Sequence, residues 1–282
     1  MSMRPAPVRP VVVGVDASDS ARDAAEWAAD LAAAWNAPLH LVQVVHGWPD
    51  EGPVPELASW LRELVEAAER TGVGTVEAEV VPGGVVDTLV ARATGAGMLV
   101  IGSYGDAGWT GMLAGSVAVT LIDRAPCPVA VVRGSAPQVP PPRSGPVVVG
   151  VDGSEAGGVA LDLAADLASS LGSSLVTVRA TADAVAESVE AQLAAVRLGH
   201  PALALALREL VVDGPAPGAL AHQADEARML VIGRHHALPG PDVRLGDIGH
   251  VLVESAPCPV VIAGPPPRTL AHSLPDSEHA AD

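Results

Sequence analysis

The sequence contains no lysine: all sixteen of its basic residues are arginine. That absence removes two reaction classes. A P-loop nucleotidase needs a lysine on the β- and γ-phosphates, and a pyridoxal enzyme needs one for its Schiff base. Cysteine is nearly absent, with only Cys127 and Cys258, each set between prolines. Two such residues read as small buried core groups in a reducing compartment rather than as a disulfide or redox pair. Basic charge is scarce, and a net formal charge of −17 repels phosphate backbones and argues against nucleic-acid binding. Charges interrupt every alanine-rich segment well before the ~20 residues of a membrane span. Met1-Ser-Met-Arg-Pro-Ala-Pro7 has no apolar stretch of the kind a signal peptide needs. The cytoplasm is the expected location. Neither a Gly-x-Ser-x-Gly elbow nor a dinucleotide fingerprint occurs, since Gly95-Ala-Gly97 precedes its strand instead of following it.

What the chain does contain is itself, twice. Val11-Val-Val-Gly-Val-Asp16 recurs as Val147-Val-Val-Gly-Val-Asp152, 136 residues on. Leu99-Val-Ile-Gly102 recurs as Leu230-Val-Ile-Gly233, and Ala125-Pro-Cys-Pro-Val129 as Ala256-Pro-Cys-Pro-Val260, both 131 residues on. The second copy has therefore lost about five residues in its middle. A repeat this long is two copies of one domain, and 282 residues suit two domains with proper cores. The expected division is a flexible N-terminus over 1–9, a first domain over 10–133, a proline-rich linker over 134–145, a second domain over 146–263 and a disordered tail over 264–282.

In the first copy, residues 10–15, 39–45, 73–81, 98–102 and 129–132 read as strands. Helices are expected over 18–35, 55–70, about 84–94 and 116–124. Alternation of this kind makes an α/β fold, two tandem open parallel sheets with helices on both faces. Ligands in such sheets lie beyond the carboxyl ends of the strands, where the winding reverses. Gly102-Ser-Tyr-Gly105 follows the fourth strand, and nine residues later Gly115-Ser116 opens a helix. Glycines let backbone approach a ligand, and a helix N-terminus offers free N–H groups, so the stretch reads as a phosphate cradle. Asp16, at the end of the first strand, faces the same crevice or serves only as a helix cap. The edge strands 129–132 and 260–263 are short and apolar and invite pairing within one chain.

These markers together, Val-Gly-Val-Asp16, Gly102-x2-Gly105-x9-Gly115-Ser116 and the closing Ala-Pro-Cys-Pro-Val, resemble those of the universal stress protein family. The resemblance covers nearly the whole chain as a tandem pair. It implies an adenine nucleotide alpha hydrolase-like fold with strand order 3-2-1-4-5 and pairing of fifth strands. It further implies an adenine nucleotide, ATP first and with Mg2+ as an optional companion. Asp16 and the backbone of Val44 would hold the base, and Gly102, Gly105, Gly115, Ser116 and Val117 the phosphates. Family members act as stress factors without a well-defined reaction, so a regulatory binding module is expected rather than an enzyme. A slow ATPase and a ligand-free interaction protein are the alternatives, and a homodimer of the whole chain is a further expectation.

The second copy departs from the pattern. His236 stands where the second glycine belongs, and Gly246 is followed by Asp247 instead of serine. A bulky ring and a negative charge at a helix start both oppose an anion. One nucleotide per chain is therefore expected. A metal site at His235-His236 lacks further ligands at suitable spacing.

Overall fold

The computed structural model describes residues 8–47, 56–104, 116–136, 139–181, 186–204, 206–234 and 247–264. The first half runs β1 (Val11–Val15), α1 (Asp19–Trp35), β2 (Leu39–Val45), α2 (Ser59–Arg70), β3 (Val76–Pro82), α3 (Val85–Arg92), β4 (Met98–Gly102), α4 (Ser116–Arg124) and β5 (Val129–Val132). The second half repeats this order. It runs β6 (Val147–Gly150), α5 (Glu155–Leu171), β7 (Leu175–Ala180), α6 (Ala186–Gly199), β8 (Leu207–Val212), α7 (Ala216–Ala224), β9 (Met229–Gly233), α8 (Asp247–Ser255) and β10 (Val260–Ala263).

The two expected sheets are halves of one. Its strand order is β3-β2-β1-β4-β5-β10-β9-β6-β7-β8, so each half is wound 3-2-1-4-5. Every ladder is parallel except the central one, where β5 and β10 run antiparallel with Val131 opposite Val260 and Val129 opposite Ile262. All eight residues of these two strands are buried. The outer edges are of another kind: β3 carries Glu77 and Glu79, and β8 carries Arg208 and Glu209, charges that discourage further strand addition.

Strand side chains alternate between two apolar layers. Val11, Val13 and Val15 point into the layer under α1, α2, α5 and α6, whereas Val12 joins the layer under α3, α4, α7 and α8. Alanine dominates the buried stripe of α1, with Ala21, Ala24, Ala25, Ala28, Ala29 and Ala32. Small side chains let this helix lie close to the sheet, and alanine loses no rotamer freedom on helix formation. Ser18 caps α1 by accepting the Ala21 N–H at 3.1 Å, and Asn36 ends it in the left-handed region at φ 50°. Ser154 and Gly172 do the same for α5.

Two boundaries differ from expectation by three residues or more. Ala58 is extended (ψ 157°), so α2 begins at Ser59 rather than at Pro55. Gly72 turns at φ 91°, which delays β3 to Val76. Arg143 ties the linker to α1, donating to Glu26 at 2.7 Å and to Asp30 at 3.0 Å. Gly105, Gly115, His235, His236 and residues 265–282 lie outside the described residues.

Candidate functional site

Asp16 follows β1 directly, and Gly102-Ser103-Tyr104 closes β4. β1 and β4 are neighbours, and the chain leaves them toward opposite edges of the half-sheet, which is the switch point of such a fold. A cavity of about 370 Å³ opens there. Apolar side chains of Val15, Val42, Leu89 and Ile101 line it together with Asp16, Val44, Gly102, Ser103, Tyr104 and the α4 residues Val117 and Ala118. Four residues predicted from sequence, Asp16, Val44, Gly102 and Val117, thus border one space. Ser116 starts α4. The β1–β2 ladder stops at Val15 opposite Gln43, while β2 continues beside β3 through Val44 opposite Val81. Val44 therefore stands one residue beyond the end of β1, at the mouth of the crevice. A second, more polar depression of about 280 Å³ lies between α1 and α2, lined by Asp16, Arg22, Trp60, Glu63 and Arg70 among others. It reaches the capped start of α1 at Ser18 but includes no glycine and none of Val44, Gly102 or Val117, so the first cavity, which holds all of these, is the better candidate.

The side chains around the crevice show which residues the fold itself requires. Asp16 Oδ1 accepts the Ser18 N–H at 3.0 Å and the Ser18 hydroxyl at 2.5 Å. The helix cap is thus Ser18, and Asp16 braces it in a short side-chain turn. In the second half Asp152 does the same for Ser154, at 2.9 and 2.6 Å. Gly102 also has a structural duty. A Cβ there would lie 2.8 Å from the carbonyl carbon of Ser20 and 2.5 Å from its hydroxyl, so α1 and β4 can meet only at a glycine. Sequence reasoning assigned that missing Cβ to ligand approach; its cause is helix-to-strand packing, and Gly233 repeats it against Ala156 at 2.6 Å.

Ser20 is the residue that sequence reasoning missed. It is buried, and its hydroxyl accepts the Ser103 N–H at 2.8 Å and the Tyr104 N–H at 3.4 Å, pinning the turn after β4. Its counterpart in the second half is Ala156, which cannot do this. That Ser-to-Ala difference, in the copy with the damaged glycine motif, was the available signal. Ser103 itself is 7% exposed, and its Oγ has no hydrogen-bond partner among the described residues. An unpaired buried hydroxyl costs free energy unless a group beyond the described residues satisfies it.

Elsewhere the titratable groups serve structure. Cys127 and Cys258 are free and buried, and burial pushes their thiols up to about 11 and about 12. Glu79 is held below the usual carboxylate range, first by its hydrogen bond from Arg92. Among the described residues no group of histidine, cysteine and acidic side chains is arranged to hold a metal, and no helix is long and apolar enough to cross a membrane.

The Universal stress protein family profile matches residues 7–133 and again 144–264. The chain belongs to the universal stress protein family. Universal stress protein Rv2623 of Mycobacterium tuberculosis is 31% identical over 293 residues, spanning 90% of this chain and 95% of its own length. Universal stress protein Mb2028c of Mycobacterium bovis is 32% identical over 288 residues, spanning 90% and 96%. Among solved structures, a universal stress protein from Archaeoglobus fulgidus superposes with a TM-score of 0.67 at 17% identity, covering 90% of this chain and 98% of that one. It shares the fold. Both curated relatives match this chain along nearly their whole length, so the resemblance takes in both halves.

Proposed function

We propose that the first domain, residues 10–133, binds one adenine nucleotide, ATP foremost, and that the chain is a regulatory binding module rather than a catalyst. Asp16 and the backbone of Val44 would hold the base. Gly102, Gly105, Gly115, Ser116 and Val117 would cradle the phosphates, Mg2+ travelling with the nucleotide if it is needed. The observation that carries this reading is the cavity bordered by Asp16, Val44, Gly102 and the first turn of α4, with the buried Ser103 Oγ at its lining lacking a partner among the described residues. A helix start at one end of that cavity favours an anion, and the apolar stretch between Val42 and Leu89 suits a flat base. The second domain, residues 146–263, has Ala156 and Arg234 where the first has Ser20 and Ser103, so it serves as a packing partner.

Hydrolysis is not part of the proposal: among the described residues lining the cavity only Asp16 and Tyr104 carry titratable side chains, and Asp16 Oδ1 braces Ser18. Homodimerisation of the whole chain would have to use a surface other than the charged outer strands β3 and β8.

The test is to denature freshly purified protein and identify released nucleotide by mass spectrometry, then to follow phosphate release from added ATP. Copurified or readily loaded adenine nucleotide with no phosphate release supports the reading. A chain that retains and takes up no nucleotide contradicts it.

A further inference from the structure

Two arginines cross the seam between the halves. Arg133, directly after β5, donates through Nη1 to the carbonyls of Val253 and Glu254 in the last turn of α8. At the other end, Arg234, directly after β9, donates from Nη1 to the Ala125 carbonyl at 3.0 Å and from Nη2 to the Cys127 carbonyl at 3.4 Å. Each arginine thus brings a cation to the C-terminal end of the last helix of the opposite half. There the final carbonyls lack intrahelical donors and the helix dipole is negative.

The repeat does not place these arginines at equivalent positions. Arg133 corresponds to Gly264, 131 residues on, and a Cβ at Gly264 would lie 2.6 Å from the carbonyl carbon of Cys127. No side chain can leave the end of β10. The guanidinium comes instead from the adjacent strand, β9, whose Gly233 sits beside Ala263. Its position is the one that Ser103 holds in the first half. Arg234 is only 9% exposed, with Asp123 of α4 close enough to favour its charge. A buried cation is kept at such cost only where it has partners. The partners here are Asp123 in the last turn of α4 and the carbonyls of Ala125 and Cys127, in the segment that leads from α4 to β5.

We propose that Arg234 is a positioning residue for the nucleotide site of the first half: it anchors the C-terminal end of α4, the helix whose first turn borders that site. The inference rests on the nucleotide reading above. α4 is nine residues long, about 14 Å at 1.5 Å per residue. A rigid helix transmits displacement of one end to the other, so phosphate contacts at the start of α4 depend on a side chain of the second half.

The test is calorimetric titration of ATP and of adenosine into the full-length wild-type chain, Arg234→Met and Arg133→Met, with melting curves for each. Arg234→Met is expected to bind ATP about three- to tenfold more weakly and adenosine unchanged, because only phosphates reach the helix start. Arg133→Met loses stability through the matching contact to α8 but keeps its ATP affinity. Folded Arg234→Met with wild-type affinity for both ligands overturns the positioning role alone. A wild-type chain that takes up no ATP overturns the nucleotide reading, and this inference with it. Should Arg234→Met fail to fold, amide exchange on the wild-type chain decides. ATP is expected to slow exchange at Ala125 and around Arg234, and protection confined to the first half ahead of Leu121 overturns the coupling.

Discussion

At the end of β1 the first half has Asp16, Ser18 and Ser20, and at the end of β4 it has Gly102 and Ser103. The second half has Asp152, Ser154, Ala156, Gly233 and Arg234 in the same places. Three of the five are shared, and the structure gives each a duty that needs no ligand. The aspartate braces the serine, the serine caps the helix, and the glycine lets helix and strand meet. The two that differ are those that shape the turn after the strand. The comparison separates what the fold requires from what a ligand requires. A motif residue that persists in a degenerate copy is poor evidence of binding, and one that changes is better evidence.

Several substitutions test that separation, beginning with the largest expected effect. Gly102→Ala and Gly233→Ala should each destabilise the chain by about 2–3 kcal/mol in urea titrations, since a new Cβ meets helix backbone in both halves. Unchanged stability in Gly102→Ala together with lost ATP affinity would mean that the glycine serves the ligand after all. Next, Asp16→Ala and Asp152→Ala should each cost about 1 kcal/mol of stability through a weakened cap. Asp16→Ala alone should also weaken ATP binding, and more so than binding of inorganic triphosphate. Equal losses for both ligands would reduce Asp16 to its structural duty.

Ser20→Ala gives the first half the residue of the second. It should loosen the Ser103 turn, at about 1 kcal/mol of stability, and lower ATP affinity several-fold. Ala156→Ser should leave nucleotide binding unchanged. The smallest effect belongs to Glu79. Its folded pKa lies below the ordinary value of 4.5, so its contribution is fully present above that value and lost as pH falls through the lower folded one. Because both partners are substantially exposed, Glu79→Gln should cost less than about 1 kcal/mol at pH 7 and should flatten the acid limb of stability against pH.

Much of the fold was legible because local signals agreed. Apolar strand runs such as Met98-Leu-Val-Ile101 alternate with amphipathic helices, and the duplicated markers locate both halves without any contact information. The candidate site was legible only in part. Asp16 and Gly102 were found through motif spacing, but their packing duties depend on Ser18 and Ser20, which only the folded chain brings against β4. Ser20 meets Ser103 across 83 residues of sequence, and Arg234 meets Ala125 across 109. No periodicity encodes such pairs. The start of α2 was misplaced because an extended Ala58 has no composition signal, and the delay of β3 reflects a turn at Gly72 that alternation does not register.

The central claim is that two similar halves hold one nucleotide. Calorimetric titration of ATP into the full chain measures this directly. The account predicts saturation at one ATP per chain, abolished by changes at Gly105 and Gly115 and indifferent to changes at His236. Saturation at two ATP per chain, or at one that survives loss of the first-half glycines, would contradict it.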